Sequence, residues 1–290
     1  MRKSWLAGLG LLSGLGALAL WLSLGLANSP VPVHPALWQI DGPQGQKGWL
    51  FGTIHALPRA ADWRRGPVEQ AWDQADSVVV EIAALNDNAA TAKAFETLAH
   101  TPNLPPLDQR VPDALRPALA KAMAGRSPKD FTDTESWAAA LMLARDAASG
   151  DPAYGIDRAI LSDPQGKTVV ELEGAMGQLS LFDRLPETAQ RRLLAEAISA
   201  APDDGSALAK AWSDGNVEAL AQETRRGMLA DPVLRQALFV GRNQAWTARI
   251  DAMLRAGQHP FVAVGAAHMA GDQGLPAMLA AQGYKVTRVQ

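Results

Sequence analysis

An apolar strand run that closes in G-x-x-H occurs twice in this chain, once near each end. Gly48 to Phe51 leads into Gly52-Thr53-Ile54-His55, and Pro260 to Val264 leads into Gly265-Ala266-Ala267-His268. Both runs have the apolar density of a buried strand. A glycine directly after a strand lets the backbone turn tightly, and a histidine three positions later then projects over the sheet's edge. Only five histidines exist, at 34, 55, 100, 259 and 268. Two of them in one motif constrain the fold more than any other feature. Neither end is large enough to cover both faces of a sheet by itself, so the two are read as completing one shared sheet.

The intervening sequence fills in that plan. Asp41-Gly42-Pro43-Gln44-Gly45 separates Leu37 to Ile40 from Gly48 to Phe51 and predicts a hairpin. Val68 to Ala75 has helical spacing, and Ser77 to Ile82 (S-V-V-V-E-I) predicts a buried strand. Residues 88 to 150 carry helical spacing broken by Pro102, Pro105, Pro106 and Pro112. Thr168 to Leu172 returns to strand character, and residues 186 to 256 return to helices. The second G-x-x-H leads to a helix from about Leu275 to Gln282, a Gly283 cap and a last strand, Tyr284 to Val289. The expected class is α/β (α+β): a central mixed β-sheet built from N- and C-terminal βαβ-like units, with a large helical middle.

Residues 1–27 have a different grammar. Arg2 and Lys3 precede an uncharged run from Trp5 to Ala27, and Gly25-Leu26-Ala27 offers small residues for cleavage. The run is longer than a usual signal core and long enough to cross a bilayer. It reads as a signal peptide or an N-terminal membrane anchor, with the rest of the chain in the periplasm or cell envelope. Residues 28–36, with P-V-P-V-H-P, read as a Pro-rich spacer, and 37–290 as the folded domain.

Composition removes several function classes. There is no cysteine, which excludes thiolate nucleophiles, Cys-bound zinc and iron–sulfur clusters. With 27 Lys and Arg against 30 Asp and Glu, nothing general attracts nucleic acid. G-x-S-x-G, Walker A, G-x-G-x-x-G and H-E-x-x-H are all absent. Any metal must therefore use histidine and carboxylate.

Four residues carry the candidate chemistry. His55 and His268 end the paired motifs. Glu81 ends the S-V-V-V-E run, where an ionised carboxylate needs a cation, a metal or hydrogen-bond donors. Arg242, with Asn243 in L-F-V-G-R-N-Q-A-W, is either a surface cation with a buried stem or a guanidinium that grips a substrate carboxylate or an oxyanion. Glu171 and Glu173 alternate around Leu172, and Glu173 is better placed because it ends its strand. Trp38, Trp49, Trp72 and Trp246 read as core or groove lining.

Taken in order, L-F-G-T-I-H (50 to 55), V-V-V-E (78 to 81), Y-G-I-D (154 to 157), G-K-T-V-V-E-L-E (166 to 173) with Gln178, G-R-N (241 to 243) and V-G-A-A-H-M-A-G-D-Q-G-L (264 to 275) resemble the TraB/GumN family over residues 36 to 289. That family is related to the Tiki membrane proteases and, more distantly, to the erythromycin-esterase and ChaN-like superfamily. The resemblance implies a mixed-sheet α/β fold with a cleft formed by His55, Glu81, Arg242 and His268. One departure stands out: Gly174 and Gly177 lie where the family more often carries Thr and Glu, which speaks against a dinuclear site.

The leading expectation is an exported or membrane-anchored metal-dependent hydrolase, a peptidase acting on peptide or protein. His55, Glu81 and His268, with Glu173 as a weaker candidate, would hold one divalent Zn, Mn, Co or Fe ion. Glu81 is alternatively the general base, and Arg242 would stabilise the oxyanion. Gly52, Thr53, Asn243 and Gly265 are the candidate substrate contacts. Two alternatives stay open: a metal-independent hydrolase of esterase type using His and Glu, and a non-catalytic ligand-binding envelope protein.

Overall fold

The computed structural model describes residues 29–147, 150–199 and 204–290. The signal or anchor expected over 1–27 lies outside them. No helix among the described residues is long and apolar enough to cross a membrane.

Among the described residues eight strands form, β1 (Val31–Pro32), β2 (Leu37–Asp41), β3 (Lys47–Thr53), β4 (Ala61–Asp62), β5 (Ser77–Val80), β6 (Thr168–Glu171), β7 (Pro260–Gly265) and β8 (Lys285–Arg288). Six of them make one mixed sheet in the order β6-β5-β7-β3-β2-β8. The expected hairpin is β2–β3, antiparallel, and β2 is also antiparallel to β8. The pairs β6–β5, β5–β7 and β7–β3 are parallel. Four adjacent strands, β6, β5, β7 and β3, therefore bring their carboxyl ends to one edge.

The mixed α/β class is as expected, but neither βαβ-like unit pairs its own strands. β7 lies between β3 and β5, and β3 and β2 lie between β7 and β8. The reason is burial. β7 is apolar along its length and every residue but the last is buried, so it takes a central place where both faces are covered.

Side-chain alternation sorts the sheet into two faces. Trp49, Phe51, Val78, Val80, Phe261 and Ala263 pack under the helices Pro67–Gln74 and Val217–Glu223. Leu50, Val79, Val262 and Val264 pack against Trp246, Ile250 and Leu254 of the helix Gly241–Arg255. A third cluster, around Trp137, Leu143, Leu193 and Leu194, is the core of the helical middle. The buried Arg110 guanidinium donates to the carbonyls of Pro105, Phe131 and Thr134 and holds the proline-rich loops of that lobe together.

The Pro-rich stretch is extended, as its prolines dictate, but it is seated on the body. β1 pairs with β4, Val33 and Ala36 are buried, and the His34 N–H donates to the Ser213 carbonyl.

Gly52 shows why the first motif begins with glycine. A Cβ there would lie 2.8 Å from Ala266 Cα in the turn after β7, and the Gly52 carbonyl accepts from the Trp212 indole at 2.7 Å. Gly52→Ala is expected to cost about 1–3 kcal/mol by overpacking, read as a lower midpoint in urea. An unchanged midpoint would mean that the contact between β3 and the second motif is slack.

Candidate active site

The shared edge collects the predicted residues. His55 follows β3, Glu81 follows β5, Glu173 follows β6, and His268 lies in the 3-10 turn Ala266–Met269 after β7. The backbone sets the two carboxylates side by side, because Glu173 and Gly174 N–H groups both donate to the Glu81 carbonyl at 3.1 Å. Gly174 sits at φ 74°, and a Cβ there would meet the Glu171 carboxylate at 2.9 Å. Glu171 itself turns away and accepts from the Ala83 N–H.

Arg242 fills the space between the carboxylates. Its Nε donates to Glu173 Oε1 at 2.8 Å, and its Nη2 donates to Glu173 Oε2 at 3.0 Å and to Glu81 Oε2 at 2.5 Å. Its Nη1 reaches the Leu238 carbonyl at 3.3 Å and His268 Nε2 at 3.2 Å. All five guanidinium N–H groups thus have protein partners, and none is left over for an oxyanion. Glu81 also accepts from Gln178 Nε2 and from the Gly265 N–H, each at 2.8 Å. Burial is the largest influence and by itself would push the Glu81 carboxyl up; the charges of Arg242 and His55 and the Gly265 N–H act against it, and the carboxyl lies at about 2.

His268 is locked as a neutral ring. Its Nδ1–H donates to Asn243 Oδ1 at 2.6 Å, while Asn243 Nδ2 donates to the Gln273 carbonyl, which fixes the amide's orientation. The Nε2 lone pair then accepts from Arg242. Phe239 stacks on one side at 5.4 Å and Trp246 lies at 4.5 Å. Burial pushes His268 down to about 3. Asn243, fully buried, serves this ring, and Gly265 serves Glu81.

His55 is the opposite case. Its side chain is 73% exposed, and Nδ1 lies 2.8 Å from Asp157 Oδ2. The buried Thr53 hydroxyl donates to the other Asp157 oxygen at 2.5 Å. The charge of Asp157 and its hydrogen bond raise His55 to about 9, with a further push from Glu81. Asp157 received no role from the sequence. The signal was its neighbour Gly155: a Cβ there would clash with the His55 carbonyl at 2.3 Å, and the Ile156 N–H donates to the Ile54 carbonyl. Y-G-I-D is thus built to dock against G-T-I-H.

A divalent ion held by His55, Glu81 and His268 needs three lone pairs converging on one point. Here His268 Nε2 faces a guanidinium, both Glu81 oxygens accept protein N–H groups, and both Glu173 oxygens are held by Arg242. No group of three or more His, Asp or Glu among the described residues is arranged to hold a metal. In this arrangement the donors do not fit a metal centre, and the cation at the middle of the site is Arg242.

Two outcomes test the electrostatics. In an NMR titration His55 should titrate near pH 9 and His268 should stay neutral down to about pH 3, with Asp157→Asn returning His55 toward 6.5. Because the folded pKa of His55 is raised, its pair contributes stability below pH 6.5 that is lost as pH rises through about 9. Arg242→Met, which strands two adjoining buried carboxylates, should cost about 3–5 kcal/mol at pH 7. Part of that loss should return on acidification as Glu81, no longer held down by the Arg242 charge, protonates, seen as a rising urea midpoint.

A model of the TraB/PrgY/gumN family matches residues 36–288. An uncharacterized protein, YbaP, from Shigella flexneri is 28% identical over 258 residues, covering 84% of this chain and 92% of its own length. No solved structure gives a significant match.

Proposed function

The chain belongs to the TraB/PrgY/gumN family, and from that premise we propose that it is a hydrolase of peptide bonds in which His55, oriented by Asp157, is the general base. The observation that carries this reading is the exposed imidazole whose Nδ1 is pinned on a carboxylate at the carboxyl edge of four strands. That is the base and orienter pair of a hydrolytic site, with the second ring nitrogen left for water.

His55 Nε2 takes a proton from water as the oxygen attacks the substrate carbonyl. The imidazolium then returns that proton to the leaving amine as the carbon–nitrogen bond breaks. Asp157 fixes the tautomer and stabilises the imidazolium. Glu81, Glu173 and Arg242 carry two negative charges against one positive, and Glu81 adds to the basicity of His55. His268 is a positioning residue that holds Arg242, and through it Glu81. The N-terminal run from Trp5 to Ala27 supports export, with substrate met in the cell envelope.

The test is hydrolysis of a diverse peptide mixture by the purified chain. His55→Ala and Asp157→Asn should each lower kcat/KM about 10²–10⁴-fold. The wild-type rate should rise tenfold per pH unit toward about pH 9, and exhaustive chelation should leave it unchanged. Activity lost on chelation and restored by Mn, Co or Zn would replace this reading with the metal-dependent one. Activity indifferent to His55→Ala would remove the site assignment.

A further inference from the structure

Beside the Arg242–Glu173 pair lies a cavity of about 420 Å³ that does not include His55, a volume within the usual range for ligand pockets. Leu172, Leu181, Ala237 and Trp246 supply apolar wall, and Gly177 and Arg249 also line it.

Gly177 has no conformational reason to be glycine. It lies inside the helix Gly174–Asp183, it is not among the positive-φ residues, and a Cβ would meet only Glu173 Cβ at 3.7 Å, an ordinary contact. Glycine inside a helix is disfavoured relative to alanine. What its missing side chain provides here is open space in the cavity.

Apart from the Arg242–Glu173 pair, the charged or amide side chains around that space are Gln236 and the exposed Arg249. The Trp246 indole N–H has no partner among the described residues, but its nitrogen is enclosed by protein and does not open on the cavity. Arg249 makes a single hydrogen bond, Nη1 to the Leu172 carbonyl at 2.8 Å, and has no ion pair among the described residues. The carboxylate of Glu173 is already held by Arg242. An occupant that matches this lining brings apolar bulk together with an anionic acceptor for Arg249.

We infer that this cavity is a specificity pocket for the C-terminal residue of a peptide, taking an apolar side chain against Trp246 while the free carboxylate accepts from Arg249. The inference rests on the peptide-hydrolase reading for its biological sense, but binding tests it separately from turnover.

The probes are acetyl-leucine, acetyl-glycine and acetyl-leucinamide, titrated into the full chain and followed at the Trp246 indole N–H by NMR, with Trp246→Phe giving the assignment. Acetyl-leucine should shift that resonance and bind at least tenfold more tightly than the other two. Gly177→Leu, which fills the cavity, should lose this binding at least tenfold with no drop in melting temperature. Arg249→Gln should erase the preference for the carboxylate over the amide. Equal or undetectable binding of acetyl-leucine and acetyl-glycine, or unchanged binding in both variants, would overturn the pocket. Leucine-selective binding in a chain that cleaves no peptide would overturn the hydrolase reading and leave the pocket standing. Cleavage with no preference for a terminal apolar residue would do the reverse.

Discussion

The guanidinium of Arg242 holds the edge of the sheet together. Glu81 and Glu173 arrive at the ends of neighbouring strands with side chains only 11% and 12% exposed, and carboxylates so enclosed call for a partner. One planar fork satisfies both and still reaches the ring of His268, a task for which a lysine has the wrong geometry. Trp246 lies under the guanidinium at 4.5 Å and beside His268, so the cation's place is fixed by packing as well as by charge. The helix Gly241–Arg255 therefore ties its own position on the sheet to the spacing of β5, β6 and β7.

From this follows the division of labour between the two G-x-x-H motifs. They look alike in sequence and have opposite surroundings. The second histidine is enclosed, neutral and bonded at both nitrogens, so its lone pair is directed inward at Arg242. The first is open to solvent and paired to a carboxylate on one side only. Identical spacing produced equivalent backbone turns, but the titration behaviour of each ring was decided by residues far away in the chain: Asn243 and Arg242 for one, Asp157 for the other.

That contrast marks the limit of what was legible. Alternation and glycine placement are local signals, and they located the hairpin, the strand Ser77–Val80 and both motif turns within a residue or two. The gathering of His55, Glu81, His268 and Glu173 at one edge was also legible, because strand-end polar residues in a parallel sheet have few other places to go. The insertion of β7 between β3 and β5 was not, since pairing partners of fully apolar strands leave no periodic trace. Asp157 was hidden for a related reason. It lies on the short helix Ile156–Ser162, and only the close approach of Gly155 to the His55 backbone gives it meaning. From its own surroundings in the sequence Arg242 read more readily as a surface cation with a buried stem, and two carboxylates surround it.

The central place of β7 has a consequence for how the chain acquires its shape. Until Pro260–Gly265 has been made, β3 and β5 have no strand between them, and each presents an unpaired inner edge. The pairings that close the sheet join residues about two hundred positions apart, which makes them slow to find and leaves the nascent chain open along its middle. Synthesis order thus keeps the site unassembled until nearly the whole polypeptide exists.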